Sequence, residues 1–519
     1  MSQATTQEFG KWRTRFWPIH GWELKKVVPM MLMCFLILFN YTILRDIKDV
    51  LIVGGCSAAA IPFIKFWGTV PMAVVFMVLY SKMSNILSKP GLFYAAILPF
   101  AVFFPVFAYI LYPNFHAIAP HALADWLVGN LPANLAVLGE VARSWPFAIF
   151  YIFAELWGSV ALSLLFWGFA NDVTGVTEAK RAYPVFTLFG NLALVVSGEV
   201  IIHCSGLGSG EDRAAFGTTL NYLMGVVTLG IGVVVGLYAY LQAKVLKDPK
   251  FLPAADQKKK KKEKPKMGLM ESFAYLAKSK YILCLAILVL GYGISINLVE
   301  VTWKGQLKLQ YPAMVDYMRF MGKFSRATGY FSIAMILLIS GNFIRRFGWG
   351  PSAIFTPVVL LITGLGFFAF ILFKGSLGGL VAMFGATPLF FGVIFGAIQN
   401  IFSKSSKYSL FDPTKEMAYI PLDQEQKVKG KAAIDVVGAR LGKSGGSIIQ
   451  QFLIAVVGFG AIVPYVAAIV TVVIVGWIIA AGSLSRQFAK LSAQRAQEAI
   501  EAAEEARAET EAQVAPAAS

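Results

Sequence analysis

The chain has 519 residues, 57% hydrophobic and only 14% charged, a balance that excludes an ordinary soluble domain and implies a polytopic membrane protein. Its formal charge of +17 would suggest nucleic-acid binding in a soluble chain. Here the cations collect in alternate connections between apolar stretches, so they report membrane orientation and no nucleic acid is expected. The four cysteines have no metal-ligand or redox spacing, and no metal or cofactor is expected.

Residues 1–23 mix Trp12, Arg13, Arg15, Trp17 and Trp22, the composition of a helix lying on the cytoplasmic surface. The first apolar stretch, Leu24 to Leu44, has full spanning length, so insertion without a cleaved signal peptide is expected. It ends in Arg45, Asp46, Lys48 and Asp49, which read equally well as a gate network or as a solvated turn. The second span, Ala58 to Tyr80, contains Lys65. Spans three to six are expected at Leu92 to Tyr112, Trp145 to Ala170, Ala182 to His203 and Gly217 to Leu241, completing a six-helix half over 24–241. The connection carrying Pro113, His116, Pro120, His121 and Pro132 reads as a solvated loop. Cys56 and Cys204 fall in segments assigned to the outer side, and a disulfide between them is left open.

Residues 242–279 hold the run Lys258 to Lys262 and read as a cytoplasmic linker attracted to anionic lipid. The second half, 280–485, is expected to place spans at Lys280 to Trp303, Phe320 to Ile344, Pro351 to Phe373, Leu377 to Phe402, Ala432 to Gly460 and Ala461 to Leu484. The Ala/Glu-rich tail, 486–519, reads as an exposed helix fraying into disorder. Counting Lys and Arg in the connections puts both termini in the cytoplasm. Six spans, a basic connection and six more are the layout of an all-α, twelve-helix, major-facilitator-like transporter, whose two halves rock around a central site. Weak internal echoes agree: Phe63 to Phe66 with Met321 to Phe324, and Phe189 to Asn191 with Leu441 to Lys443.

Ionisable residues inside these spans are the functional candidates, because a cation at bilayer depth costs about 2.5 to 3.5 kcal/mol. Arg440 and Lys443 lie one turn apart in an apolar run. Their segment, Gly438 to Ser444, is one residue short of a P-loop and follows no strand pattern. Snorkelling to headgroups, or structural pairing with carboxylates, is the competing reading. Lys65, Lys323, Arg440 and Lys443 outnumber Glu155 and Glu300, and surplus buried cations call for a polyvalent anion. These four cations are therefore the expected phosphate ligands. Asn297 shares a helix face with Glu300, and Glu300 with Lys304. With Glu155, Asn191 and Arg45 they are the expected substrate-contacting or gating residues. Phe66, Phe153, Trp157 and Phe189 are candidate faces for a nucleobase, with membrane packing as the competing explanation. No catalytic triad or metal cluster argues for an enzyme.

The segments Leu44 to Val53 (LRDIKDVLIV), Ile61 to Thr69 (IPFIKFWGT), Tyr151 to Ser159 (YIFAELWGS), Asn297 to Lys304 (NLVEVTWK) and Gly438 to Ser447 (GARLGKSGGS) together resemble the bacterial and plastid-type ATP/ADP translocases. The resemblance covers roughly residues 20–485. It implies a major-facilitator-like fold and import of ATP in exchange for ADP across a bacterial inner membrane, with inorganic phosphate entering the charge balance. It also implies that Lys65, Glu155, Glu300 and Lys443 are the important charged positions. Relatives of such carriers move other nucleotides or NAD, some with protons, so a proton-coupled nucleotide or NAD importer is the alternative. A membrane scaffold or receptor with structural ion pairs is the reading of another class. Nothing in the pattern calls for more than a monomer in the bilayer.

Overall fold

The computed structural model describes residues 17–208, 212–251, 279–423, 426, 430–431, 434 and 442–514. No strand occurs among them, as expected where lipid offers backbone amides no partners and each apolar segment must satisfy its own. In the first half α1 spans Leu24–Gly55, α2 Ala60–Ser84, α3 Lys89–Leu111, α4 Trp145–Val173, α5 Val176–Cys204 and α6 Asp212–Val245. In the second half α7 spans Lys280–Gln310, α8 Met314–Ala334, α9 Trp349–Leu372, α10 Pro388–Ser406, α11 Lys443–Val457 and α12 Val463–Val514. Side-chain caps fix several starts: Ser88 Oγ accepts from Gly91 N, Ser279 Oγ from Ile282 N and Thr387 Oγ1 from Phe390 N.

Nine helices among the described residues are long and apolar enough to cross a bilayer. Helices α8, α10 and α11 stand where three further spans are expected, and they fall short of that length or composition. The charged side chains Asp316, Arg319, Lys323 and Arg326 fall on α8, α10 carries a polar second half from Gln399 to Ser406, and α11 is described only over fifteen residues.

Several boundaries differ from expectation. α1 does not stop at Leu44 but continues to Gly55, because the charges that looked like a turn are paired inside the bundle. The eighth span begins earlier, at Met314. The tenth begins later: Lys374–Ala382 forms a separate short helix, and α10 starts at the Thr387 cap and runs to Ser406. The connection expected as a loop contains helices His121–Asn130 and Val137–Arg143, tied by an Arg143–Asp125 ion pair of 2.6 Å. The disulfide left open is not formed. All four cysteines are free, and Cys56 Sγ instead donates to Glu140 O.

In the first half α1 packs against α4, α5 and α6, and in the second α7 packs against α10, α11 and α12. Between halves, α5 meets α8 and α2 meets α11, contacts that interchange when the two sets of six are swapped. The α5–α8 crossing depends on glycine. A Cβ at Gly198 would lie 2.6 Å from Gly322 O, and one at Gly329 would lie 2.7 Å from Val195 Cγ2, so the backbones approach closely.

The two ends of the bundle are bonded differently. At the linker face, where α6 leaves for residues 252–278, the polar bonds among the described residues stay within one half. Lys26 Nζ donates to Val173 O, Glu178 Oε2 and Phe251 O at 2.6, 2.9 and 2.9 Å, and Arg181 pairs with Glu23 at 2.6 Å. At the opposite, far face, bonds join the halves. Asp212 accepts from the Met314 and Val315 amides, Arg326 pairs with Glu199 at 2.7 Å, Trp67 donates to Gln451 at 3.0 Å and Asn134 donates to Ala455 O at 3.2 Å.

Candidate functional site

The extension of α1 past Leu44 carries Arg45, Asp46, Lys48 and Asp49 into the seam between the halves. Four charges within five residues are tolerated in a membrane helix only if other helices answer them. They do. Lys48 Nζ lies 2.9 Å from Asp49 Oδ1 and 3.0 Å from Glu155 Oε1 of α4, and 3.9 Å from the centre of the Tyr151 ring. The other Asp49 oxygen lies 2.8 Å from Lys304 Nζ of α7, which sits 3.3 Å from Glu300 Oε1. The same Glu300 oxygen is 3.7 Å from Lys404 Nζ of α10. The result is an alternating chain, Glu155, Lys48, Asp49, Lys304, Glu300, Lys404, drawn from α4, α1, α7 and α10.

Beside it, Arg45 pairs with Asp46 at 3.1 Å and donates to Ser325 Oγ of α8 at 2.8 Å, while Ser325 donates to Asp46 at 2.6 Å. Lys65 Nζ donates to Asn297 Oδ1 at 3.0 Å, and Asn297 in turn donates to Ser447 of α11 at 3.1 Å.

The middle of the chain is buried and its ends are partly exposed. Lys48, Asp49 and Lys304 are 1–2% exposed, whereas Glu155 is 28%, Lys404 20% and Glu300 18% exposed. A buried run of alternating charge offsets much of the insertion cost of each member, and its ends keep some exposed surface. Three π-helical segments adjoin these residues: Ile64–Thr69 contains Lys65, Gly158–Phe166 begins one turn after Glu155, and Lys407–Phe411 begins one turn after Lys404. Such widened turns redirect side chains and recur at functional sites.

The candidate residues therefore divide. Lys65, Glu155, Asn297, Glu300, Arg45 and Lys304 come together here. Asn191 does not; it is buried on α5 and donates to Thr187 O one turn back. Lys323, expected among the phosphate ligands, is exposed on α8 beside Tyr311, Asp316, Arg319 and Phe320, and none of the described contacts joins it to the ion chain. Arg440 and the Lys443 side chain lie outside the described residues. Lys443 opens α11 just after Gly442, which packs on Gly293 of α7.

Trp157 cannot present a face to a base: it is wholly buried, with Nε1 donating to Ile37 O at 3.0 Å. Phe153 stacks on Phe103 with centroids 4.1 Å apart, Phe66 meets Trp67 edge-on and Phe189 meets Trp17 edge-on. These contacts agree with the packing explanation.

The excess of cations is also smaller than the sequence suggested. Arg45, Lys48, Lys65, Lys304 and Lys404 face Asp46, Asp49, Glu155 and Glu300, five against four among the described residues. Sequence reasoning missed Lys404, Ser325 and Ser447. The Thr387-Pro388 start signal would have shifted the tenth span and drawn Lys404 into it.

A family model described as TLC ATP/ADP transporter matches residues 2–488. The "ADP,ATP carrier protein 1" of Chlamydia pneumoniae is 53% identical over 96% of this chain and 98% of its own length. The Arabidopsis thaliana "ADP,ATP carrier protein 1, chloroplastic" is 51% identical over 91% of this chain and 75% of its own. The Rickettsia bellii "ADP,ATP carrier protein 1" is 41% identical over 92% and 96%. Among solved structures, a POT family transporter in complex with 5-aminolevulinic acid aligns at a TM-score of 0.49 with 12% identity, covering 88% of this chain and 96% of that one.

Proposed function

The chain belongs to the TLC ATP/ADP transporter family, and from that membership we propose that it exchanges ATP for ADP across a bacterial inner membrane, with the linker face and both termini cytoplasmic. It acts as a carrier rather than an enzyme, and one chain suffices. The observation that carries the mechanism is the Asp49–Lys304 ion pair, 2.8 Å long and 1% exposed on both sides, which ties α1 of one half to α7 of the other.

Together with the far-face bonds it closes the seam on one side, while the described bonds at the linker face leave the halves separate there. This is the state in which a central site communicates with the cytoplasm. A nucleotide whose phosphates compete for Lys304, Lys65 or Arg45 would loosen the closed side, and the halves would then rock so that the site faces outward. Lys65, Glu155, Asn297, Glu300 and Lys443 serve this cycle as ligands or gate partners.

ATP and ADP differ by about one charge at neutral pH, and a charge crossing 100 mV is worth about 2.3 kcal/mol. Inorganic phosphate travelling with ADP would cancel that difference. The test is uptake of labelled ATP into proteoliposomes loaded with ADP, with ADP plus phosphate, or with neither. Uptake that requires internal ADP is expected, and equal uptake into empty vesicles would overturn exchange. Accumulation driven by a pH gradient alone would favour the proton-coupled alternative.

A further inference from the structure

Lys404 is the least satisfied member of the ion chain. Its one described ion-pair partner is Glu300 at 3.7 Å, whose same oxygen lies closer to Lys304, at 3.3 Å, and the other carboxylate within electrostatic reach, Asp46, is already paired with Arg45 at 3.1 Å. One carboxylate thus answers two ammonium groups. Lys404 also rests over the Phe324 ring at 4.9 Å, a contact that holds a cation in place without neutralising it. From the other half, Arg45 stands within electrostatic reach of Lys404. Arg45 is 13% exposed and Lys404 is 20% exposed, so two like charges on opposite halves both border accessible space.

That space lies between helices and not on the lipid side. One turn beyond Lys404, in the π-helical segment, Tyr408 is 53% exposed. It nevertheless lies within electrostatic reach of Tyr41 on α1 and Tyr292 on α7. The open face of α10 therefore looks across the seam.

We infer that Arg45 and Lys404 together form the subsite for the terminal phosphates of a nucleoside di- or triphosphate. This rests on the nucleotide-exchange reading and deepens it. A terminal phosphate carries the charge that Glu300 cannot supply to both lysines, and the guanidinium offers it a second donor set from the other half. Engaging Arg45 also draws it from Ser325, one of the bonds that join α1 to α8, so occupancy of the subsite acts directly on the seam. A nucleoside monophosphate lacks the terminal phosphates that such a subsite would hold. Free inorganic phosphate shares the recognised chemistry.

The experiment measures binding of ATP, ADP, AMP and inorganic phosphate to the purified full chain, for wild type, Lys404→Gln, Lys404→Arg and Lys323→Gln. The expected result is that Lys404→Gln weakens ATP and ADP by about tenfold or more while AMP changes little. Lys404→Arg keeps most of the preference for ATP over AMP, and Lys323→Gln behaves as wild type. If ATP and AMP weaken in parallel, or neither weakens, the assignment fails. If Lys404→Gln abolishes binding of inorganic phosphate and spares ATP and ADP, the site belongs to free phosphate and the nucleotide assignment fails. A wild type that binds no adenine nucleotide fails the exchange reading itself, a distinct outcome. Should Lys404→Gln not fold, acylation of the Lys404 amine in the wild type replaces it. Shielding by ATP but not by AMP supports the subsite, and equal labelling with and without ATP overturns it.

Discussion

Replacing Asp49 with asparagine removes the one carboxylate that bridges the two halves inside the ion chain. In the protein its oxygens take Lys48 at 2.9 Å and Lys304 at 2.8 Å, with all three side chains at most 2% exposed. Removing one partner of a buried pair costs about 3 to 5 kcal/mol. Lys48 retains Glu155 and Lys304 retains Glu300, so the lower end, about 3 kcal/mol, applies. That penalty falls on the state closed at the far face, because only there are Lys48 and Lys304 forced together. About 3 kcal/mol corresponds to roughly two decades in a conformational equilibrium.

Spin labels at Ile86 and Phe347, both exposed at linker-face helix ends, report the balance of states by their distance distribution. Asp49→Asn is expected to move that distribution toward the shorter separation of the opposite state and to slow ATP/ADP exchange. Asp49→Asn combined with Lys304→Gln removes one of the two cations left facing each other and should recover part of the wild-type distribution. A single mutant whose distances match wild type, in protein that melts normally, would refute the assignment of Asp49 to the closure between halves.

Other outcomes follow from the same geometry. Lys26→Met strips three acceptors at the linker face of the first half and is expected to cost about 2 to 3 kcal/mol in stability, read by thermal unfolding, without changing nucleotide affinity. Gly198→Val drives a side chain into the Gly322 carbonyl and should cost about 1 to 3 kcal/mol, with slower exchange because the α5–α8 crossing is spread. Trp157→Phe loses the bond to Ile37 O and about 1 kcal/mol while leaving nucleotide affinity intact, as a ligand-binding assay would show; a large loss of affinity would return Trp157 to the candidate base faces. Lys323→Gln should leave uptake kinetics in proteoliposomes unchanged.

Spanning helices were legible because each depends only on its own run of apolar residues. The pairing of Asn297, Glu300 and Lys304 was legible too, since helical spacing alone puts them on shared faces. The charged end of α1 was not. LRDIKD has the composition of a solvated turn, and only the arrival of Glu155, Lys304 and Ser325 from other helices lets it stay helical and buried. Lys65 and Lys323 show the same limit from the other direction. They sit in similar local sequences in corresponding spans, yet one reaches Asn297 in the seam and the other is exposed on the flank of α8. Local sequence sets which face of a helix is polar, whereas the packing of neighbours decides whether that face meets the seam or the surroundings. Lys404 is hidden because the apolar run from Leu377 to Phe402 ends short of it, whereas the helix starts after the Thr387 cap and continues to Ser406.

The sharing within the ion chain links recognition to movement. Asp49 serves Lys48 and Lys304, and Glu300 serves Lys304 and Lys404, so withdrawing one carboxylate alters two cations and withdrawing one lysine alters two carboxylates. An anion arriving at the partly exposed end, at Glu300 and Lys404, therefore changes the electrostatic balance at the buried Asp49–Lys304 contact without touching it. A row of isolated pairs would confine the effect of a ligand to the pair it met. A chain of shared partners transmits it across the seam, through contacts of 2.8 to 3.7 Å, and makes the strength of the closure between halves depend on what binds at its end.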